Sequence, residues 1–243
     1  MLGLGNSLVR GGVLGFSNTY SLELDGTDDY VTVTDDSSLD ITSTLTISAW
    51  VKVNSFDTAQ DGIVNKCDTG GIGYGMYLTQ GADSSVGVAN FYSERYNQSA
   101  ATSGNLNIDT WYHLAGTFSD SADENKIYVD GSLVATATEG SPMSANNEPL
   151  EIGRIFKNPG YNLNGFIDEV SIFNEVVSVS SLRDGTKPAD LTGLSGLVGW
   201  WRMGDGTEGA SGNTIYDMST NSNDGTFTDP NASGIQYSTT VPT

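Results

Sequence analysis

The chain has 243 residues, 30 of them glycine and 6 proline, and a formal charge of −20 at pH 7. That length suits one large β domain, a surface so negative repels nucleic acid and anionic lipid, and no apolar run reaches the length of a membrane span. Cys67 is the single cysteine, so no intrachain disulfide can form.

Residues 1–19 read as a Gly-rich arm. Met1 to Arg10 has no basic n-region, and glycines interrupt its apolar residues, so no signal peptide is expected and the protein should leave its cell only on lysis. From Tyr20 to Leu24 polarity alternates, the chain turns at Asp25-Gly26-Thr27-Asp28-Asp29, and alternation resumes from Tyr30 to Val33. Leu45 to Val53 is the cleanest strand. Its Leu45, Ile47, Ala49, Val51 and Val53 share one face, while Trp50 points to the other and must be covered. Further strands are expected over 62–66, 74–78, 86–92 and 111–116. Asp130-Gly131 between two apolar runs marks a two-residue hairpin, because a type I′ turn needs φ > 0 at both central residues. Strands over 150–153 and 166–173 follow, then a short helical turn near 179–182. Many short strands joined by turns rich in Gly, Ser, Asn and Asp describe an all-β, antiparallel two-sheet sandwich.

Three segments carry a family resemblance in the expected order: LELDGTDDYVTV (Leu22 to Val33), TWYHLAGTFSDSADENKIYVDGSLVAT (Thr110 to Thr136) and NGFIDEVSIFNEVVS (Asn164 to Ser178). They resemble the laminin-G-like, concanavalin A-type lectin and glucanase family. The resemblance implies a jelly roll over 20–187. In segment 188–243, Leu197-Val198-Gly199-Trp200-Trp201 and Asn223-Asp224-Gly225-Thr226 are similar to the phrase that opens such modules, here placed last. The segment is either a truncated second repeat or a C-terminal β extension. About fifty residues cannot build a sandwich alone, so addition to a sheet of this chain or of a neighbour is expected.

Glucanases of this fold carry Glu-x-Asp-x-x-Glu along one strand, and no strand here does. Asp168 and Glu169 are adjacent, so alternation sends them to opposite faces, and Glu148 and Glu151 straddle Pro149. No enzymatic activity is expected, with a polysaccharide-active hydrolase or lyase as the rival reading. His113 in mid-strand and Cys67 in a turn read as packing residues. Asp25, Asp28 and Asp29 gather three carboxylates on one turn, and Ca²⁺ takes six to eight oxygens from such loops. The resemblance implies Asp168 as a further ligand, so one Ca²⁺ is expected to join the turn to the strand of Asp168. The acidic stretch Asp120 to Glu124 reads as a solvated hairpin tip.

Tyr92, Arg95, Tyr96 and Asn97 in one segment, and Arg154 and Tyr161 in another, combine aromatic faces with hydrogen-bonding groups suited to sugars. The expected function is a surface module, a virion-associated decoration or fibre protein that binds carbohydrate or armours a particle. Its partners would be glycans or other surface proteins, with neither nucleic acid nor membrane insertion. Self-association or particle attachment would run through the arm or the C-terminal extension, and the protein would reside on a virion or outside a lysed cell. A purely structural oligomer without ligand is the third class.

Overall fold

Alternation along Thr44–Val53 places Leu45, Ile47, Ala49, Val51 and Val53 in the interior, all at most 4% exposed. The computed structural model that shows this describes residues 16–56, 60–68, 70–95, 99–101, 105–138, 143–155, 160–207, 209–229 and 235–243, with backbone alone at 95 and 99–101. In chain order the strands are β1 (Ser21–Asp25), β2 (Tyr30–Val33), β3 (Thr44–Val53), β4 (Gln60–Cys67), β5 (Ile72–Gln80), β6 (Val86–Arg95), β7 (Ser99–Ala101), β8 (Leu106–Asn107), β9 (Trp111–Ser119) and β10 (Glu124–Val129). There follow β11 (Ser132–Ala137), β12 (Leu150–Ile152), β13 (Asn164–Phe173), β14 (Arg183–Asp184), β15 (Lys187–Pro188), β16 (Leu197–Trp201), β17 (Thr214–Ile215), β18 (Gly225–Thr228) and β19 (Tyr237–Ser238).

Two antiparallel sheets face each other. The first runs β11-β10-β9-β3-β13-β1-β19, with β16 also beside β13; the second runs β17-β18-β2-β12-β4-β5-β6-β7, with β8 beside β6. Helical structure among the described residues is confined to single 3-10 turns at Ser37–Leu39, Asp120–Ala122 and Val179–Ser181. The last lies where the helical turn was expected. No helix of the described residues is long and apolar enough to cross a membrane. The fold class is therefore the all-β sandwich expected from the sequence.

The two inner faces interlock through side chains such as Ile47, Phe118 and Ile167 from one sheet and Val64, Met76 and Phe91 from the other. Full burial of each such residue contributes roughly 1.5–3 kcal/mol. Gly116 exists for this contact, since a Cβ there would lie 2.1 Å from the Phe91 ring. The Asp130-Gly131 hairpin has the left-handed pair its turn requires, with φ of 49° and 81°.

Segment 188–243 joins both sheets of this same chain. Its β16 pairs with β13, β18 with β2, and β19 with β1. Trp201, Met203, Ile215 and Phe227 enter the same core as Leu22 and Ile47. The outer face of the first sheet is covered too: Phe173 and Trp200 pack under Leu182 and Leu191, and Trp50 is 2% exposed.

Candidate functional site

At one end of the sandwich β1 stops at Asp25 and β2 begins at Tyr30. Gly26, at φ +78°, lets the turn fold tightly against Asn164, whose Cβ would stand 2.6 Å from any Cβ added to the glycine. Asp25 Oδ1 accepts from the backbone N–H of Thr27 at 2.7 Å and holds the turn closed. Asp25, Asp28 and Asp29 each place a carboxylate oxygen within 4.8 Å of the others. Asp29 is 2% exposed; its Oδ2 accepts from the Asp25 N–H at 3.2 Å, and its Oδ1 is buried without a hydrogen-bond partner among the described residues. Burial, with Asp25, Asp229 and Asp28 adding repulsion, pushes the Asp29 carboxyl up to about 6 against a backbone hydrogen bond that lowers it.

Beside this turn lies a pocket of about 410 Å³ lined by Glu23, Asp25, Asp29, Asn54, Asn164 and Gln236. Asn164 Nδ2 donates to Ser55 Oγ at 3.1 Å, and Asn54 Nδ2 to Asn164 Oδ1 at 3.4 Å, so the amides stand in fixed orientation. Asn162 braces the turn from below, donating to the Thr27 carbonyl at 2.6 Å. Amides and carboxylates around a pocket of this size can exchange hydrogen bonds with a polyhydroxylated ligand.

Asp168 does not belong to this group. In the β1–β13 register Asp25 faces Asn164, so Asp168 lies four positions further on, about 13 Å along the strand at 3.3 Å per residue. One ion cannot bridge that gap, which corrects the expected four-carboxylate calcium site. Asp168 Oδ2 instead accepts from Asn18 Nδ2 at 2.9 Å, and its Oδ1 is buried without a partner among the described residues.

The adjacent pair also departs from simple alternation. A register shift between Asp168 and Ser171, with Glu169 at φ +48°, makes a β-bulge that brings both carboxylates to one buried patch. Glu169 accepts from Trp200 Nε1 at 2.6 Å and from Arg202 Nε at 2.9 Å. Burial pushes Glu169 up to about 7 despite Arg202, and raises Asp168 well above the usual carboxylate range with Glu169 as the next cause. At 0% and 4% exposure neither reaches a substrate.

The expected sugar-binding residues are scattered. Tyr92 is completely buried, its ring 6.1 Å from that of Tyr77, so it offers no face for stacking; that expectation is corrected. Arg154 is held by Glu151 and lies 3.3 Å above the centre of the Tyr30 ring. Tyr161 packs partly buried against Cys67, Tyr77, Tyr92 and Ile155. Tyr96, Asn97 and the side chain of Arg95 lie outside the described residues. His113 is buried with Nε2 2.7 Å from Ser48 Oγ, and the Cys67 thiol donates to Asn65 Oδ1 at 3.0 Å; both are packing residues as expected. Asp120–Ala122 forms the exposed tip between β9 and β10. Sequence reasoning missed Asn54 and Asn164. The available signal was that each abuts a strand end next to the acidic turn.

Among solved structures, a Bacteroides ovatus protein assigned to carbohydrate binding superposes with a TM-score of 0.70 at 20% identity, over 92% of this chain and 60% of the other. This chain thus spans less than two thirds of that protein. Domain 4 of a GH43 extracellular arabinanase from Geobacillus stearothermophilus, solved in complex with arabinotriose, superposes with a TM-score of 0.50 at 19% identity, over 66% of this chain and 73% of the domain. These likenesses establish a shared fold. No curated protein matches the sequence. The family model for the concanavalin A-like lectin/glucanases superfamily matches residues 25–183. That match spans the acidic turn, the hairpin at Asp130 and the bulged strand of Asp168, and the chain belongs to the concanavalin A-like lectin/glucanase superfamily.

Proposed function

We propose that this chain is a non-enzymatic carbohydrate-binding module whose site is the pocket beside the turn 25–29. The observation that carries the reading is the pocket of about 410 Å³ walled by the oriented amides of Asn54 and Asn164 and the carboxylates of Asp25 and Asp29. The carbohydrate-binding descriptions of structures that share the fold support it. A Ca²⁺ ion fits the same turn. Three convergent carboxylates and the orphaned, buried Asp29 Oδ1 form a hard oxygen donor set, which Asp25, Asp28 and Asp29 would contribute. Bound there, the ion would supply positive charge that fixes the turn beneath the pocket.

A glycan array probed in calcium and again in EDTA tests this. The expected result is binding to at least one neutral glycan family, weakened by Asn164→Ala and by EDTA; a blank array overturns it. Released reducing ends or unsaturated products on incubation with polysaccharides would favour the enzyme instead. The finer placement proposed is on a virus particle or outside a lysed cell, as a decoration or fibre module that is oligomeric or particle-bound. The acidic surface supports the particle-bound form, since it keeps free copies from clumping in solution before they attach. Failure to co-sediment with particles would refute the particle reading.

A further inference from the structure

A second pocket, of about 430 Å³, opens on the outer face of the first sheet, between the sheet and the segment that crosses it. Its walls are Trp50 of β3, Trp111 of β9, Asp130 of the hairpin, Arg183 of β14, with Thr186 and Thr243 at the rim. Trp50 Nε1, Trp111 Nε1 and Arg183 Nε are all buried, and none has a hydrogen-bond partner among the described residues. A buried N–H without an acceptor is costly, and native interiors tolerate few of them. Three donors left open around one cavity describe a place built for an acceptor.

The charge is matched to that role. Arg183 Nη1 donates to the Asp130 carbonyl, which fixes the guanidinium against the hairpin. Its nearest carboxylate contact, Nη2 to Asp130 Oδ1, is a long 3.9 Å. The guanidinium also stands 5.8 Å from the centre of the Trp50 ring. His113, 5.2 Å from Trp50, is pushed down to about 3 by burial and then by Arg183, so it adds no charge of its own. Arg183 is the cation of the pocket.

We propose that this pocket binds an acidic pyranose, a hexuronate residue of a polysaccharide. A guanidinium with open indole N–H groups suits a carboxylate, because planar bidentate contact is what Arg does best. The Trp111 indole, only partly buried, offers flat apolar area to the ring carbons of a sugar, while the buried Trp50 backs the pocket. Anions are otherwise repelled by a chain of charge −20, so such binding must come from a local arrangement. The choice of a sugar rests on the carbohydrate-binding reading; the place does not, since it lies on a different face from the acidic turn.

The test is isothermal titration of the full chain with oligogalacturonate and oligoglucuronate, and with the matching neutral oligosaccharides. A uronate is expected to bind at least tenfold more tightly than its neutral counterpart. Arg183→Lys, which keeps the charge but loses the fork and the Nε donor, should weaken it about tenfold. Trp111→Phe, which keeps the ring and removes the N–H, should weaken it less, and Asn164→Ala should leave it unchanged. Melting curves of each variant show whether it remains folded. If neutral glycans bind through the turn pocket while uronates do not, this proposal alone fails. Uronate binding indifferent to both Arg183→Lys and Trp111→Phe overturns it as well.

Discussion

At Lys66 a fully buried ammonium donates to Asp35 at 2.7 Å and to the carbonyls of Asn146 and Glu148 at 2.8 and 2.9 Å, with Asp40 at 3.3 Å. At the turn 25–29 three carboxylates converge on one another, and the charges acting on Asp29 are those of Asp25, Asp229 and Asp28, all negative. The first cluster carries its own cation, one buried ammonium set between two carboxylates. In the second the charges that Asp29 feels are all negative, so its energy depends on what the solution supplies. Buried charge of the first kind holds a fold together under most conditions; the second kind couples a fold to its medium.

Breaking the Lys66 cluster should have the largest effect. Lys66→Met removes one partner from a buried ion network and should cost about 3–5 kcal/mol in denaturant unfolding. A loss under 1 kcal/mol would mean that water reaches Asp35 and Asp40 and replaces the ammonium. The incomplete cluster should respond to an added ion. A ligand confined to the folded state stabilises by about 2.7 kcal/mol at a hundredfold excess over Kd, so calcium should raise the melting temperature of dialysed protein. Asp29→Asn should abolish the response, and an unchanged melt in calcium would dismiss the ion.

A third prediction sharpens the comparison with an intermediate case, the Asp168–Glu169 patch, where Arg202 pairs with Glu169 alone and Asp205 adds repulsion to both acids. Burial raises both carboxyls above their unfolded values, so the folded state holds these protons to higher pH than the unfolded chain does. Stability from this patch is therefore greatest in mild acid and is lost as pH climbs through about 7. Melting temperatures of wild type and Asp168→Asn from pH 5 to pH 8 should diverge, with the variant flatter. Parallel profiles would show that the patch is hydrated. The smallest effect belongs to the half-buried surface pair Lys126–Glu124: Lys126→Ala should leave the melting curve nearly unmoved, since surface pairs contribute little.

Local chemistry was legible and long-range chemistry was not. β3 and the Asp130-Gly131 turn could be read because their rules act within a few residues. Tyr92 looked available because alternation says which residues share a face, never which face a second layer will cover. Asp168 and Glu169 were sent apart by a period-two rule that a bulge at Glu169 suspends. The acidic turn was visible as three aspartates in five residues, whereas Asn54, Asn164 and the walls at Trp50, Trp111 and Arg183 meet only through the register of β3, β9 and β13 and the crossing of β14.

The pairing of Ser21 with Ser238, and of Val33 with Gly225, sets the order in which this protein can be assembled. During synthesis at about 5–20 residues per second, β1 and β2 emerge long before the strands that flank them. Both sheets must wait with an open edge, and pairings of such sequence separation make for slow closure. The interval is when neighbouring nascent chains can pair with one another, so yield should depend on temperature and expression rate more than on final stability. The acidic surface, repelling like chains during that wait, protects the molecule before it has a fold to protect.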